Sequence, residues 1–368
     1  MTLSGVELRR ISMPLVAPFR TSFGTETVRD VLLVRVVTDA AEGWGECVAM
    51  SGAGYSPEYT DGAADVLRRF LIPALARARR SDGPAVAPAL SAVKGHRMAK
   101  AALETAVLDA ELRAEGRSLA RELGATRDRV ACGVSVGIMD SIPALLDVVA
   151  DYLDEGYARI KLKIEPGWDV APVRAVRERF GDDVLLQVDA NTAYSPADAP
   201  HLARLDPFGL LLIEQPFDEE DLLAHAGLAG MLTTPVCLDE SITSARTAAA
   251  AIRLSACAVV NIKPGRVGGF LEARRIHDLC VSHGVPVWCG GMLETGLGRA
   301  ANLALAALPG FTLPGDTSAS GRYFDADITA PFVLRDGHLD VPAGPGIGVM
   351  PDPARLDAVT TWTEWIAL

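Results

Sequence analysis

The chain has 368 residues, enough for two domains or for one barrel with an accessory domain. Its formal net charge of -12 and isoelectric point near 5.0 argue against nucleic acid as a partner, because the sequence contains no basic stripe. Hydrophobic residues make up 49% of the chain, yet no uncharged apolar run is long enough to cross a membrane.

The N-terminus and the cysteines indicate a cytoplasmic protein. The opening segment MTLSGVELRR lacks the apolar stretch of a signal peptide. The 6 cysteines form no CxxC pair, and most lie in or beside predicted buried strands. We therefore expect reduced core cysteines and a cytoplasmic location.

Residues 1–125 predict an α+β domain ahead of the rest of the fold. Short stretches of alternating apolar and polar residues are typical of antiparallel strands, and longer stretches with helical periodicity follow them. The predicted strands are 4–11, 31–38 and 43–48, and the predicted helices are 57–78 and 94–114.

The connection between the first two predicted strands, residues 14–28, contains the sequence APFRTSFGT and is too long for a tight hairpin. Long irregular connections in compact domains are often lids. Phe19 and Phe23 would supply the apolar wall of a pocket under such a lid, although either ring alone could equally anchor the segment to its own domain.

Residues 126–320 repeat a strand and a helix at nearly constant spacing. The apolar runs end, in order, at Ser135, Lys163, Asp189, Glu214, Asp239, Lys263, Trp288 and Asp316. The steps between these ends are 28, 26, 25, 25, 24, 25 and 28 residues. Such an even repeat predicts a parallel sheet, and eight strand ends are the number that closes a (β/α)8-type barrel.

The strand–helix repeat ends after residue 320. The sequence FVLRDGHLDVP is strand-like, and AGPGIGV is rich in Gly and Pro. We expect residues 321–368 to pack back against the N-terminal domain.

Five ionic residues would meet at one end of this barrel, because active sites of such barrels lie at the C-terminal ends of the strands. Lys163 and Lys263 would face each other across the ring, with Asp189, Glu214 and Asp239 between them. Close carboxylates raise one another's pKa unless a cation joins them, and a set of oxygen ligands alone favours Mg²⁺. Each residue taken singly could be a helix cap or a rim charge, but the even spacing of all five favours a site.

Further candidates flank these strand ends. Ser135 and Asn191 could hydrogen-bond an acyl amide or a succinyl group, although Asn191 could equally cap a helix. After the seventh strand, Gly291, Met292 and Leu293 could offer backbone groups and apolar surface to an acyl moiety, although a tight turn would also need glycine here. For Asp316 an N-cap is the favoured prediction.

The motifs KLKIEP, VDAN, IEQP, LDES and NIKPGRVGG, in this order and spacing, resemble the muconate-lactonising subgroup of the enolase superfamily. The closer resemblance, over the whole chain, is to o-succinylbenzoate synthases that also act as N-acylamino acid racemases. It implies an α/β fold, a modified (β/α)7β barrel with an N-terminal capping domain completed by the C-terminal segment.

The resemblance also implies the chemistry of the site. Asp189, Glu214 and Asp239 would bind Mg²⁺, with Mn²⁺ or Co²⁺ as substitutes, and Lys163 and Lys263 would be the acid/base pair. Lys161 would contact the carboxylate of a small-molecule substrate. The family's members are commonly dimers or octamers, so a homo-oligomer is expected.

A proton α to a carboxylate is a very weak acid, so its removal needs a neutral base and a cation near the developing charge. Lys161 lies two residues before Lys163 on the same face of a strand, and its charge would lower the pKa of Lys163. Proton return by Lys263 to the opposite face would racemise an N-acyl or N-succinyl amino acid. Return by Lys163 to a β-hydroxyl would be a syn dehydration. The resemblance implies both reactions, the second being dehydration of the menaquinone precursor 2-succinyl-6-hydroxy-2,4-cyclohexadiene-1-carboxylate to o-succinylbenzoate.

Several alternatives stay open. A dipeptide epimerase or a muconate-type cycloisomerase would share the same five ionic residues. A mandelate-racemase type is disfavoured, because it would need a His/Asp pair on strands 6 and 7, where this chain has Lys263 and Trp288. A Schiff-base aldolase or an inert metal-binding barrel is a more remote alternative.

Overall fold

The structure, a computed structural model, describes residues 2–368. Its N-terminal part is an antiparallel sheet. The strands are β1 (Leu3–Thr21), β2 (Gly24–Thr38), β3 (Glu42–Cys47) and a C-terminal strand, Thr360–Ala367. The C-terminal strand lies at one edge and pairs with β1, which pairs with β2, which pairs with β3. The strands predicted at 4–11, 31–38 and 43–48 are confirmed.

The prediction of an irregular connection at 14–28 is wrong. β1 and β2 continue through this region as a hairpin, with an irregular register between Pro14 and Phe19. A register shift moves side chains to the other face, so the alternation that reveals a strand is lost there. The tip of the hairpin reaches the barrel, where Ser22 Oγ donates to Ala190 O at 3.1 Å. The hairpin therefore carries both Phe19 and Phe23 over the barrel's mouth.

Helices cover this sheet. They are α1 (Thr60–Val66), α2 (Ile72–Ala76), α3 (Gly83–Ala89), α4 (Arg97–Ala114) and α5 (Leu119–Leu123). The helix predicted at 57–78 is interrupted by a π-helical turn at Leu67–Leu71. Pro73, just after that turn, has no N–H to continue a regular ladder. α4 begins later than predicted because Gly95 and His96 both have positive φ.

The barrel strands form a parallel sheet in chain order. They are β5 (Gly133–Val136), β6 (Arg159–Lys163), β7 (Leu186–Asp189), β8 (Ile213–Glu214), β9 (Val236–Leu238), β10 (Val259–Ile262) and β11 (Val287–Cys289); a short β4 (Arg129–Ala131) precedes them. The strands are buried on both faces, as expected of a parallel sheet covered by helices.

The eighth predicted strand is not a regular strand. Residues 311–316 close the ring between β5 and β11 through isolated bridges, and Gly133 N donates to Gly315 O at 2.7 Å. On the other side, Asp316 N donates to Cys289 O at 2.9 Å. Pro314 lacks an N–H, so this segment cannot form a continuous ladder.

Helices surround the sheet. They are α6 (Ile142–Asp154), α7 (Val170–Phe180), α8 (Ala199–Leu202), α9 (Leu222–Ala229), α10 (Ala245–Arg253), α11 (Pro264–Val267), α12 (Phe270–Ser282) and α13 (Gly296–Ala306). A further helix, α14 (Pro353–Val359), contacts β1 of the N-terminal sheet, where Asp357 pairs with Arg9. A further short strand, β12 (His338–Asp340), pairs with β4. The cysteines are buried and form no disulfide within residues 2–368. No helix in this range is long and apolar enough to cross a membrane.

A buried carboxyl group joins the N-terminal helices to the barrel. Glu104 of α4 is 1% exposed, and its Oε1 accepts a hydrogen bond from Leu271 N at 3.1 Å, in the first turn of α12. Free N–H groups at a helix N-terminus favour such an acceptor. Burial raises the pKa of Glu104 to about 7, while the backbone donors, and Arg275 more weakly, oppose the rise and Glu272 adds to it.

We predict that Glu104→Gln becomes more stable relative to the wild type as pH rises. With a folded-state pKa above the unfolded value of 4.5, the contribution of Glu104 to stability is fully present below pH 4.5 and is lost as pH rises through about 7. The difference should reach roughly 3 kcal/mol at most. Urea unfolding at pH 5 and pH 8 measures it, with exposed Glu115→Gln as the control; parallel pH dependence of Glu104→Gln and wild type would contradict the prediction.

Candidate active site

The five predicted ionic residues lie together at the C-terminal ends of the barrel strands. Lys163, Asp189 and Glu214 are the last residues of β6, β7 and β8. Asp239 and Lys263 directly follow β9 and β10. All five are buried, with the carboxylates at most 1% exposed. The constant spacing in sequence thus becomes a shared position at one rim of the sheet.

Lys163 is held between two oxygen acceptors. Its Nζ donates to Asp189 Oδ2 and to Asn191 Oδ1, each at 2.6 Å. Asn191 in turn donates from Nδ2 to Glu240 Oε1 at 2.9 Å. The next helical turn is capped by Ser195, so Asn191 is not a helix cap. Asn191 instead fixes the position of Lys163 in this conformation.

Lys161 lies deeper, among three carboxylates. Its Nζ is 2.6 Å from Asp316 Oδ2, 3.1 Å from Glu214 Oε2 and 3.2 Å from Asp189 Oδ2. Burial alone would lower the pKa of Lys161, but these carboxylates raise it well above its usual value. The N-cap prediction for Asp316 is wrong, because its other oxygen accepts from Arg159 Nη2 at 2.8 Å.

Lys263 belongs to a second charged group on the opposite side. Its Nζ donates to Asp239 Oδ2 at 2.6 Å and to the Tyr55 hydroxyl at 2.9 Å. Arg266 donates from Nε to Asp239 Oδ1 at 3.1 Å and from Nη2 to Tyr55. Burial would lower the pKa of Lys263, but Asp239 raises it well above its usual value. Lys263 is therefore a cation in this conformation.

The strand-end carboxylates Asp189 and Glu214 have pKa values shifted in opposite directions. Burial would raise the pKa of Asp189, but Lys163 and Lys161 outweigh it and lower that pKa. Burial and the charge of Asp189 raise the pKa of Glu214 to about 8. Within residues 2–368, no group of three or more Asp, Glu, His or Cys residues has metal-site spacing. In this conformation a lysine is paired with each of the three carboxylates. Their oxygen-only chemistry nevertheless fits a hard divalent cation.

A pocket of about 520 Å³, including its open mouth, lies above these groups. Its lining includes every predicted substrate contact: Phe19, Phe23, Ser135, Lys161, Asn191, Gly291, Met292 and Leu293. Lys163 and Lys263 also line it. Ser135 Oγ is buried without a hydrogen-bond partner within residues 2–368. A buried unpaired hydroxyl in a pocket wall is suited to a ligand's polar group.

The glycines after β11 are required by close contacts rather than by a turn. A Cβ at Gly290 would lie 2.7 Å from Lys263 Cε, and one at Gly291 would lie 2.7 Å from Asp316 O. Neither glycine has positive φ, whereas Leu293 does, at 58°. These glycines let the segment pass directly over the charged groups.

Sequence reasoning missed Tyr55 and Arg266, and misjudged Asp316. Tyr55 lies in an irregular segment after β3, where no periodicity marks it. Arg266 is three residues after Lys263 in the motif NIKPGRVGG, and that spacing on a helical turn could have indicated their proximity. Asp316 lies at a predicted strand end, as the other three acids do, and this position could have indicated that it belongs to the site.

Comparison with known proteins covers nearly the whole chain. Residues 5–124 match the model of the mandelate racemase / muconate lactonizing enzyme N-terminal domain, and residues 144–355 match that of the enolase C-terminal domain-like family. The N-succinylamino acid racemase of Amycolatopsis sp. is 72% identical over 366 residues, covering 100% of both chains. The o-succinylbenzoate synthase of Geobacillus kaustophilus is 47% identical, covering 98% of this chain and 96% of that one.

Solved structures agree with this relationship. An enolase superfamily member from Listeria innocua superposes with a TM-score of 0.95 at 40% identity, covering 100% of this chain and 99% of that one. More distant is the L-Ala-D/L-Glu epimerase of Bacillus subtilis, whose structure superposes with a TM-score of 0.88 at 27% identity, covering 95% of this chain and 99% of that one. The predicted capped, modified barrel is thereby confirmed.

We predict that Asp316→Ala lowers the free energy of unfolding by about 3 kcal/mol or more, because it leaves buried Arg159 and Lys161 short of a counter-charge. Asp340→Ala is the matched control, since its partners Arg129 and Arg335 are exposed and the loss should stay under about 1 kcal/mol. Urea unfolding of both variants tests this, and equal losses would contradict it.

Proposed function

This chain belongs to the mandelate racemase and muconate lactonizing enzyme family of the enolase superfamily, and from that premise we propose that it removes the proton α to the carboxylate of a small molecule. The observation that carries the proposal is that Lys163 and Lys263 line one pocket from separate sides of the barrel. Two amines on either side of one substrate carbon are what proton removal and return require.

The proposed reactions are racemisation of N-acyl or N-succinyl amino acids and syn dehydration of 2-succinyl-6-hydroxy-2,4-cyclohexadiene-1-carboxylate to o-succinylbenzoate. The named activities of the relatives at 72% and 47% identity support both. A dipeptide epimerase or a cycloisomerase would use the same ionic residues, but the relative named as an epimerase is far more distant. No observation favours an aldolase or an inert metal-binding barrel.

We propose Asp189, Glu214 and Asp239 as the ligands of Mg²⁺. The bound ion would stabilise negative charge on the substrate carboxylate. For those oxygens to bind a metal, Lys161, Lys163 and Lys263 must release them, since each ammonium lies within 3.2 Å of one or more of the three carboxylates. Release would free Lys161 to hold the substrate carboxylate, and Lys163 and Lys263 to exchange protons.

The lysines would then act in sequence. For one enantiomer, Lys163 takes the α-proton and Lys263 donates a proton to the opposite face; for the other enantiomer the roles reverse. In the dehydration, Lys163 takes the α-proton and returns it to the leaving hydroxyl, which departs as water, while Lys263 remains a cation that stabilises the anion. Ser135, Phe19 and Phe23 would contact the rest of the substrate. We further propose a homo-oligomer in the cytoplasm.

We predict that Lys163→Ala and Lys263→Ala each reduce racemisation of N-succinyl amino acids by about 1,000-fold or more, because inversion needs a base on both faces. A single remaining lysine can still exchange the α-proton on its own face. Polarimetry measures inversion, and NMR in D₂O measures exchange, with exposed Lys94→Ala as the control. Appreciable racemisation in either active-site variant would rule out the two-base scheme.

We predict that Mg²⁺ raises the free energy of unfolding by about 2.7 kcal/mol at a concentration one hundred times its Kd. Asp239→Asn should lose most of this stabilisation, and EDTA should abolish turnover of the wild type. Thermal unfolding with and without Mg²⁺ measures the effect independently of activity. The exposed Asp278→Asn variant should retain the full increase; if Asp239→Asn retains it too, Asp239 is not a ligand.

A further inference from the structure

Arg29 of β2 is a buried cation bound only to backbone. It is 1% exposed, and no carboxylate within residues 2–368 lies within 4.0 Å of its guanidinium. Its N–H groups donate to four carbonyl oxygens instead. They are Val48 O at 2.8 Å, Ala49 O at 3.0 Å, Asp30 O at 3.3 Å and Met292 O at 3.3 Å. A buried charge with no directly paired counter-charge is costly, and these carbonyls compensate that cost.

Three of these carbonyls, those of Val48, Ala49 and Met292, lie in or directly beside two walls of the pocket. Val48 and Ala49 follow β3 and lead directly into Met50, which lines the pocket from the N-terminal domain. Met292 follows β11 and lines it from the barrel. No backbone hydrogen bond joins residues 48–50 to residues 290–295 in the described chain. The guanidinium fork is thus the polar connection between the two walls.

The barrel wall needs such support. Leu293 has a φ of 58°, a left-handed conformation that is strained for a non-glycine residue. Met292 N donates to Glu294 Oε2 at 2.8 Å, so Arg29 fixes the other backbone group of the same residue. At the far end of the segment, Glu46 of β3 accepts from Thr295 Oγ1 at 2.6 Å. The N-terminal domain therefore holds this wall at both ends.

We propose that Arg29 is a positioning residue that sets the separation of Met50 and Met292, and through it the preference for the apolar part of the substrate. The inference rests on the proposed racemisation for its substrate class. Only arginine supplies a planar fork of five donors that reaches both walls at once, whereas lysine offers one compact ammonium. Arg29 does not itself line the pocket, so it acts through the two methionines.

The test compares Arg29→Met and Arg29→Lys with Arg177→Met in the full chain. Arg177 is a matched control, because its guanidinium also donates to backbone carbonyls, among them Phe208 O at 2.8 Å and Gly209 O at 3.0 Å, but lies away from the pocket. Arg29→Lys keeps the charge and serves if Arg29→Met does not fold. Urea unfolding of each variant is measured first, so that only variants of equal stability are compared.

Hydrogen exchange without substrate is the first readout. We expect amides in residues 48–50 and 290–295 to exchange on the order of 10-fold faster in the Arg29 variants and unchanged in Arg177→Met. Unchanged exchange in both segments would overturn the inference whatever the enzyme's substrate.

Kinetics are the second readout. The ratio of kcat/KM for N-succinylphenylalanine to that for N-succinylalanine should change by about 5-fold or more in the Arg29 variants, mainly through KM. A uniform loss for both compounds, equal to that of Arg177→Met, would show a merely structural role and overturn the inference. If the wild type racemises neither compound, the proposed function fails, and the exchange result alone decides the role of Arg29.

Discussion

Opposite charges that would each be costly to bury alone hold the mouth of the barrel together. Lys161, Lys163 and Lys263 are buried there, and each is paired with at least one strand-end carboxylate. Removing one partner of such a group leaves an uncompensated charge, which costs more than the pair contributes to stability. The charged groups at the mouth therefore form one network. If a substrate or a cation displaces one member of a lysine–carboxylate pair, another charge must compensate the member that is left.

This network divides into two halves that suit different tasks. On one side Lys161 and Lys163 share Asp189 Oδ2, and Asn191 holds Lys163 by a neutral oxygen. On the other side Lys263 shares its carboxylate with Arg266. A divalent cation that took the carboxylates would release amines on both sides together, so cation binding and the readiness of the bases would be linked through the same oxygens.

The sequence predicted the features that follow from the regular strand–helix repeat. It predicted few of the contacts between residues that are distant in sequence. Even steps located the strand ends, and hence the five ionic residues, because a parallel repeat brings equivalent positions to one rim. The hairpin at 14–28 was missed because an irregular register erased its alternation, and the eighth strand failed where Pro314 interrupts the ladder. Tyr55 reaches Lys263 across 208 residues, and no local pattern can encode that contact.

The pocket is formed by two domains, so its dimensions depend on how they are joined. The N-terminal domain places acceptors at the start of two successive barrel helices, Glu104 at α12 and Glu46 at α13. Little solvent reaches these junctions, since Glu104 is 1% exposed and Glu46 is 8% exposed, and this burial raises the pKa of each to about 7. These two helices follow the strand ends that carry Lys263 and Gly290, and they are thereby fixed relative to α4 and β3 of the N-terminal domain. Because packed interfaces of this kind shift as units rather than deform continuously, these two glutamates couple the position of the barrel wall to that of the N-terminal domain, and a change at either one would loosen that coupling.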